Sequence, residues 1–408
     1  MENILANAAS AIAGATGYIY PNEFELHWGI LIVVYPYLTG LVAGAFILAS
    51  LERVFKVSAL TPVYRLSLLT ALAFLLIAPL PLLAHLGRPE RALEMFLTPH
   101  TQSAMAMFGF VYAWYLMVVL LLEIWFDYRC DIIKWARESA GLKKYFYYAL
   151  SLGSTSTSDE ALAFDAKAGR FITLIGIPSA FLLHGYVGFI FGSVKANPWW
   201  SSVLMPIVFL FSAIVSGIAL MVLIYMVSTM FRWKRINMDC LNKLGLFLLV
   251  AMIVDFSLEL LDFVHRLYES EESIHILSSM ITNRLFISLI ISQIIIGSVT
   301  PMGALVMARF RQVPDEMKRM LYFIAAILVQ VGIFSTRWNV VLGGQLFSKS
   351  LRGLTTYKLE MFGLEGLFVS IVLLLMPFVI LFILVKIFPP WEGSHHEPMK
   401  LTAADVEK

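Results

Sequence analysis

LHWGILIVVYPYLTGLVAGAFILASL, residues 26–51, decides the fold, because it contains no Lys, Arg, Asp or Glu from end to end. A helix rising about 1.5 Å per residue needs about 20 apolar residues to cross the hydrocarbon core of a bilayer. This stretch is long enough to do so. Segments of the same kind recur near 28–51, 61–84, 103–126, 171–192, 202–231, 241–264, 284–308, 319–336 and 364–387, which gives about nine spans within bounds of eight to ten. Composition agrees: 59% hydrophobic residues, 14% charged and a mean hydropathy of +0.80 describe a chain whose solvent is mostly lipid. The expected fold is an all-α, polytopic transmembrane helix bundle.

No internal repeat and no Gly/Ser- or Pro-rich linker divides the chain, so residues 1–408 read as a single integral domain. Its expected parts are an outer N-terminal segment over 1–27, a core bundle over 28–336 with a cytoplasmic loop at 127–170, an outer loop at 337–363, an extra span at 364–387 and a cytoplasmic tail at 388–408. Basic residues near span ends are retained on the cytoplasmic side. Of the 30 Lys and Arg, 21 fall on one face: Arg53 to Arg65, Arg129 to Arg170, Arg232 to Lys243, Arg309 to Arg319, and Lys386 with the C-terminal lysines Lys400 and Lys408. The opposite face holds an N-terminal segment without a basic residue before Arg53 and the net acidic HRLYESEES at 265–273. The N-terminus is therefore expected outside, the C-terminus in the cytoplasm, and the span number odd.

The first 25 residues lack a basic n-region and are broken by Gly14, Gly17 and Pro21, so they do not read as a cleaved signal. Only two cysteines, Cys130 and Cys240, are present, which leaves no disulfide framework and no Cys-rich metal or iron–sulfur site. Any iron–sulfur centre must then sit on another chain. A net charge of +2 gives no basis for nucleic-acid binding. The loop stretch KWARESAGLKKYFYYAL at 134–150 reads as an amphipathic helix along the membrane surface, followed by the polar GSTSTSDE.

Ionisable groups left inside a bilayer are costly unless paired or used, so they carry the functional reading. NEFELHW at 22–28 places Asn22, Glu23, Glu25 and His27 at the outer interface, where headgroup-level solvation is the plainer account. HLGRPERAL at 85–93 is a stiff corner carrying His85, Arg88, Glu90 and Arg91, with Arg88 placed to cap carbonyls or orient a pocket. His184 falls mid-span in LLHGYVGFIFG, with Tyr186 two residues on, and reads either as a site residue or as a polar group bonded across a helix interface. Asp255, Glu259 and Asp262 in DFSLELLDF are spaced four and three apart, on one helix face, where they line a polar cavity, pair with cations or carry protons. Gln293 and Gln330 are candidates for the same cavity, although a lone Gln also bridges helices. Arg337, Trp338, Asn339, Gly343, Gly344 and Gln345 are expected to return the chain to the outer face.

This polar inventory lies toward the outer side, as a pocket open to lipid would require. A quinone site needs an apolar tunnel, donors for two carbonyls and a titratable partner. A secondary transporter would show inverted repeats and paired broken helices, which are not visible here. Membrane haem needs histidines on facing helices, and His184 is the clear mid-span histidine. A purely structural anchor is the remaining alternative. A proton route to the cytoplasm would need stepping stones such as Glu123 and Asp165.

The stretches EFELHWGILIVVYPYLTGLVAGAFIL, HLGRPERALEMF and HGYVGFIFGSVKANPWWSSVLMPIVFLFSAIVSG together resemble the NrfD family of membrane subunits, best known from the polysulfide reductase membrane anchor. The resemblance runs from about residue 22 to 345. It implies two four-helix units, to which the C-terminal helix is an addition like that of the longer forms in hydrogenase, alternative complex III and Qrc-type menaquinone reductase assemblies. It implies a quinone-binding subunit of a bacterial inner-membrane respiratory complex, binding no haem, iron–sulfur cluster or other metal itself. Menaquinone or another quinone is the implied substrate. The implied partners are a ferredoxin-like iron–sulfur subunit at the periplasmic face and further redox subunits of molybdopterin or multihaem cytochrome c type. By motif, the implied site residues are Asn22, His27 and Asp255, with His184 and Tyr186 as weaker matches; His85, Arg88 and Glu259 join the expected site from their own positions, and Asp255, His27 and His85 are given catalytic roles. Many relatives carry Asp where this chain has His85, which leaves the donor at that corner open.

Overall fold

A computed structural model describes residues 15–23, 26–269 and 274–391. The expectations placed on residues 1–14, Glu25, 270–273 and 392–408, including Lys400 and Lys408, lie outside the described residues. Among those described, nine helices are long and apolar enough to cross a membrane. They are α1 (Ile30–Arg53), α2 (Ser58–His85), α3 (Ala106–Glu138), α4 (Asp159–Gly192), α5 (Met205–Phe231), α6 (Met238–Tyr268), α7 (Phe286–Ala308), α8 (Asp315–Gln345) and α9 (Leu367–Ile387).

Lipid gives helices no hydrophobic reason to associate, so packing rests on close backbone approach and buried polar contacts. The first half groups α1–α4 and the second α5–α8, joined where α1 crosses α5. Gly44 and Gly217 meet there so closely that a Cβ on either would strike the backbone of the other. Gly297 and Gly332 do the same for α7 and α8. As a result α1 is the central column, with 89% of its most apolar window buried, whereas α9 lies against α1 and α2 at the rim with 22% buried.

Charge completes the first half at the end where α1 turns into α2, hereafter the basic end. Asp127 of α3 accepts from Arg53 of α1 at 3.0 Å and from Arg65 of α2 at 2.7 Å. Arg65 also contacts Asp131 at 2.8 Å and stacks over Tyr128 at 4.3 Å. Arg129 donates to both carboxylate oxygens of Asp165 at 2.7 and 2.8 Å. Two sequence expectations change here. The loop set at 127–170 is shorter, since α3 runs on to Glu138 and α4 begins at Asp159, with a surface helix Leu142–Leu150 between them. Asp165 accordingly sits in α4 rather than in a loop, paired with Arg129. Periodicity cannot see this because both helices carry charges that only their mutual pairing makes tolerable.

At the opposite end the chain is stitched to itself. Strand β1 (Thr16–Tyr18) pairs antiparallel with β2 (Arg352–Leu354), an addition to the all-helical expectation. Glu23 accepts from the Lys349 backbone N–H and from the Ser348 hydroxyl. Trp28 N–H donates to Gln345 Oε1, whose amide donates back to the Trp28 carbonyl, both at 3.1 Å. Tyr357 Oη accepts from Ile30 N–H at 3.1 Å, satisfying one of the orphan donors that any helix start leaves. Burial raises the Tyr357 phenol above its usual range, Ile30 N–H acts the other way, and Glu360 and Glu365 add to the rise.

The outer loop set at 337–363 also starts later than its sequence suggests. Arg337, Trp338 and Asn339 belong to α8, and the chain leaves the helix only at Gly343–Gln345.

Candidate functional site

Helices α4, α6 and α8 contribute a group of ionisable residues without ion-pair contacts among the described residues, unlike the paired Arg53, Arg65, Asp127, Arg129 and Asp165 of the basic end. Arg337 is 0% exposed on α8, His184 is 0% exposed on α4, and Asp255 on α6 is 5% exposed. Counting about 1.5 Å per residue, Arg337 and His184 each lie about 12 Å inside the far ends of their helices. The site therefore sits in the half of the membrane away from the basic end, as the polar inventory of the sequence suggests.

Arg337 Nη2 is 3.1 Å from His184 Nε2 and 2.7 Å from Ser212 Oγ on α5. A guanidinium can only donate, so His184 Nε2 is the acceptor and its proton lies on Nδ1. That proton faces Thr39 Oγ1 at 3.3 Å, and Thr39 passes its own to the Tyr35 carbonyl at 3.2 Å. Phe209 completes the shelf, with Arg337 over its ring at 4.2 Å and His184 stacked at 5.6 Å. His184 thus satisfies the interface reading as well, since it bonds to α1 and α8 at once.

Three polar atoms in this cluster are buried without a hydrogen-bond partner: Arg337 Nε, Arg337 Nη1 and Asp255 Oδ1. Orphaned buried polar groups are costly, and in native proteins they call for an explanation. One turn beyond Asp255, Glu259 is better satisfied, with Gln293 Nε2 at 3.2 Å and Thr336 Oγ1 at 3.4 Å. Gln293 in turn accepts from Asn339 Nδ2 at 2.7 Å, and Asn339 accepts from Ser288 at 2.6 Å. Gln293 lies in the part of α7 that is wound in wide π-type turns, Phe286–Val299, a local geometry frequent at functional sites.

Beside these groups opens a cavity with about 60 Å³ of interior space, lined by the polar Glu259, Asp262, Gln293, Thr336 and Asn339 and by the apolar Val208, Phe263 and Leu289. The third carboxylate of the α6 stripe, Asp262, is not like the other two. Asp262 pairs with Arg266 one turn on and accepts from Ser202, and Arg266 also donates to the Trp199 carbonyl. The stripe of three acids therefore divides into a structural pair and two site carboxylates. Above, Trp199 and Trp200 donate their indole N–H groups to the carbonyls of Asn339 at 2.8 Å and Val340 at 2.6 Å, fixing the end of α8.

The remaining sequence candidates fall elsewhere. Asn22, His27 and Arg88 are exposed at the far end. His85 Nδ1 contacts Glu365 Oε1, just before α9, at 2.9 Å. Tyr186 is half-buried, stacked on Phe108 at a centroid distance of 6.0 Å. Gln330 takes the bridging role, between Tyr37 of α1 and Ser216 of α5. Arg337 and Asn339, which the sequence suggests as an exit to the outer face, are the centre of the site. Their signal is the polar series Thr336, Arg337, Asn339 continuing the helical register of the eighth span toward Gly343.

Nine span-length apolar helices among the described residues, with a cluster of ionisable groups buried between them, define a class of polytopic membrane protein. The description "Polysulphide reductase, NrfD" matches residues 21–349, and the chain belongs to that family. The chain is 32% identical to a selenate reductase subunit of Mesobacillus selenatarsenatis over 323 residues, 77% of this chain and 73% of that one. It is 30% identical to a putative dimethyl sulfoxide reductase membrane subunit of Halobacterium salinarum over 234 residues, covering 54% and 49% of the two. It is 29% identical to protein NrfD of Escherichia coli over 201 residues, covering 48% and 59%. The chain is thus a membrane subunit of the reductase-complex type, and α9 lies beyond the matched residues.

Proposed function

We propose that this chain is the quinone-reactive membrane subunit of a bacterial respiratory oxidoreductase complex. It exchanges electrons between an iron–sulfur partner on the periplasmic side, at the end bearing β1 and β2, and a menaquinone-type substrate, with coupled proton uptake or release. The basic end faces the cytoplasm in this reading, and the membrane is the inner one. The observation that carries it is the unspent polar set of Arg337 Nε, Arg337 Nη1 and Asp255 Oδ1, all buried, with Arg337 next in sequence to Thr336 and Asp255 one helical turn from Glu259, two residues that line a cavity with apolar walls.

These residues fit the chemistry of a quinone, which supplies the two-electron redox centre and needs donors at its carbonyl oxygens and a place for protons. Arg337 offers three unspent N–H donors, one on Nε and two on Nη1. Asp255 and Glu259 hold or release protons within electrostatic reach of that cation. Thr39 and Ser212 orient the His184–Arg337 pair. About 60 Å³ is the room of a few waters, so the interior suits proton passage, and the larger quinone ring would lie outside it, against the apolar wall to which Phe263 and Leu289 contribute.

The test is made on the complex purified from its native membrane, with co-extracted quinone identified and a fluorescent quinone analogue titrated in. Saturable analogue binding is expected in wild type and in Asp255→Asn, with quinone-linked turnover falling about 10²- to 10⁴-fold in the variant, the usual range for a lost acid–base group. Unchanged turnover and pH dependence in Asp255→Asn would remove it as proton carrier. No binding in the intact complex would leave the chain a structural anchor or a transporter.

A further inference from the structure

A second cavity lies at the basic end, far from the charge cluster. It encloses about 650 Å³ between α2, α5 and α9, inside the roughly 300–1,000 Å³ typical of small-molecule sites. Its walls are apolar, with Leu66, Ile224, Val227, Phe378, Leu381 and Phe382 along its length. Its charge is confined to one rim, where Arg232 and Lys386 stand, and no acidic residue lines it among the described residues. The two cations are at membrane-surface depth, because α5 ends at Phe231 and α9 at Ile387.

The rim is also built. The Arg232 guanidinium lies 3.7 Å over the Trp391 ring, and Lys386 Nζ is 5.5 Å from the Phe382 ring centroid, so aromatic faces hold both cations beside the groove. Trp233, next in the run FRWKR at 231–235, is 95% exposed just past the end of α5, the level where Trp is enriched in membranes.

We propose that this groove is a specific site for an anionic phospholipid, its acyl chains along α2, α5 and α9 and its phosphate between Arg232 and Lys386. An amphiphile with one charged end matches a groove with charge at one rim only. A partner's transmembrane helix would need the apolar wall but not the paired cations. Basic pockets between helices at a membrane surface recognise such headgroups by charge. The site is independent of the quinone chemistry.

Native mass spectrometry of the purified complex, titrated separately with dioleoyl phosphatidylglycerol and dioleoyl phosphatidylcholine, tests it. The phosphatidylglycerol is expected to bind at least about tenfold more tightly, and Arg232→Gln with Lys386→Gln to weaken it by about 10- to 30-fold, close to the zwitterionic lipid. Val227→Trp fills the groove without touching a charge and is expected to weaken both lipids, so the site stays testable if the double variant fails to assemble. Equal binding of the two lipids to wild type, no binding to the intact complex, or undiminished phosphatidylglycerol affinity in the folded variants would each overturn the proposal.

Discussion

Buried charge is treated in opposite ways at the basic end and around Arg337. At the basic end Arg53 and Arg65 converge on Asp127, and Arg129 grips Asp165, at distances of 2.7–3.0 Å. Arg337, by contrast, touches no carboxylate among the described residues, donates to a neutral imidazole and a hydroxyl, and leaves the three N–H groups on Nε and Nη1 unused, while Asp255 keeps an oxygen unpartnered. A charge satisfied by its neighbours holds helices together. One kept nearby but unneutralised is available to something else, and holding it there costs stability. The comparison separates scaffold from site without reference to any motif.

It can be broken most directly at Asp127. Asp127→Ala takes one carboxylate away from two buried guanidinium groups, Arg53 and Arg65, and losing one partner of such a pair costs about 3–5 kcal/mol, expected as a failure to recover folded protein or a large drop in thermal midpoint. A loss below about 1 kcal/mol would dissolve the contrast. Arg337→Met is expected to be within about 2 kcal/mol of wild type, because the His184 and Ser212 contacts it loses are offset by removing an unpaired buried cation. Quinone-linked turnover in the same variant should fall by about 10²-fold or more. A collapse in stability there would move Arg337 to the scaffold.

Smaller effects sharpen the picture. Trp199→Phe removes the indole donor to the Asn339 carbonyl and should cost about 1–3 kcal/mol, read as a lower midpoint with weakened turnover, since it loosens the end of α8 that carries the site. His27→Ala, at an exposed position, should shift stability by less than about 0.5 kcal/mol. Any change in turnover from that variant then reports contact with substrate or a partner protein rather than a folding defect.

The span number was legible because apolar length is set by the bilayer, and Asp255, Glu259 and Gln293 were legible because polar groups inside such lengths stand out. Arg337 was not, because reading apolar windows stops a span at its first charge, and α8 carries its charge inside. Asp262 shares a helical face with the two site acids, although Arg266 four residues on supplies an ion-pair partner at a spacing that sequence alone displays. Glu365 beside His85 was beyond reach, since 280 residues separate them and no local pattern marks either as the other's partner. Asp165 illustrates the same limit from the other side: its neighbour Arg129 turns what reads as loop into helix.

The hydroxyl of Tyr357 at the start of α1 sets a schedule. The Ile30 amide it serves is 327 residues earlier in the chain, and Gln345, which clamps Trp28, is 317 residues away from it. At a ribosomal pace of about 5–20 residues per second, α1 emerges roughly 16–65 s before the residue that completes its first turn. The bundle's central column is therefore among its first helices to be synthesised and among the last to be finished. A truncation anywhere before residue 357 leaves that column in the membrane with its opening turn unclosed.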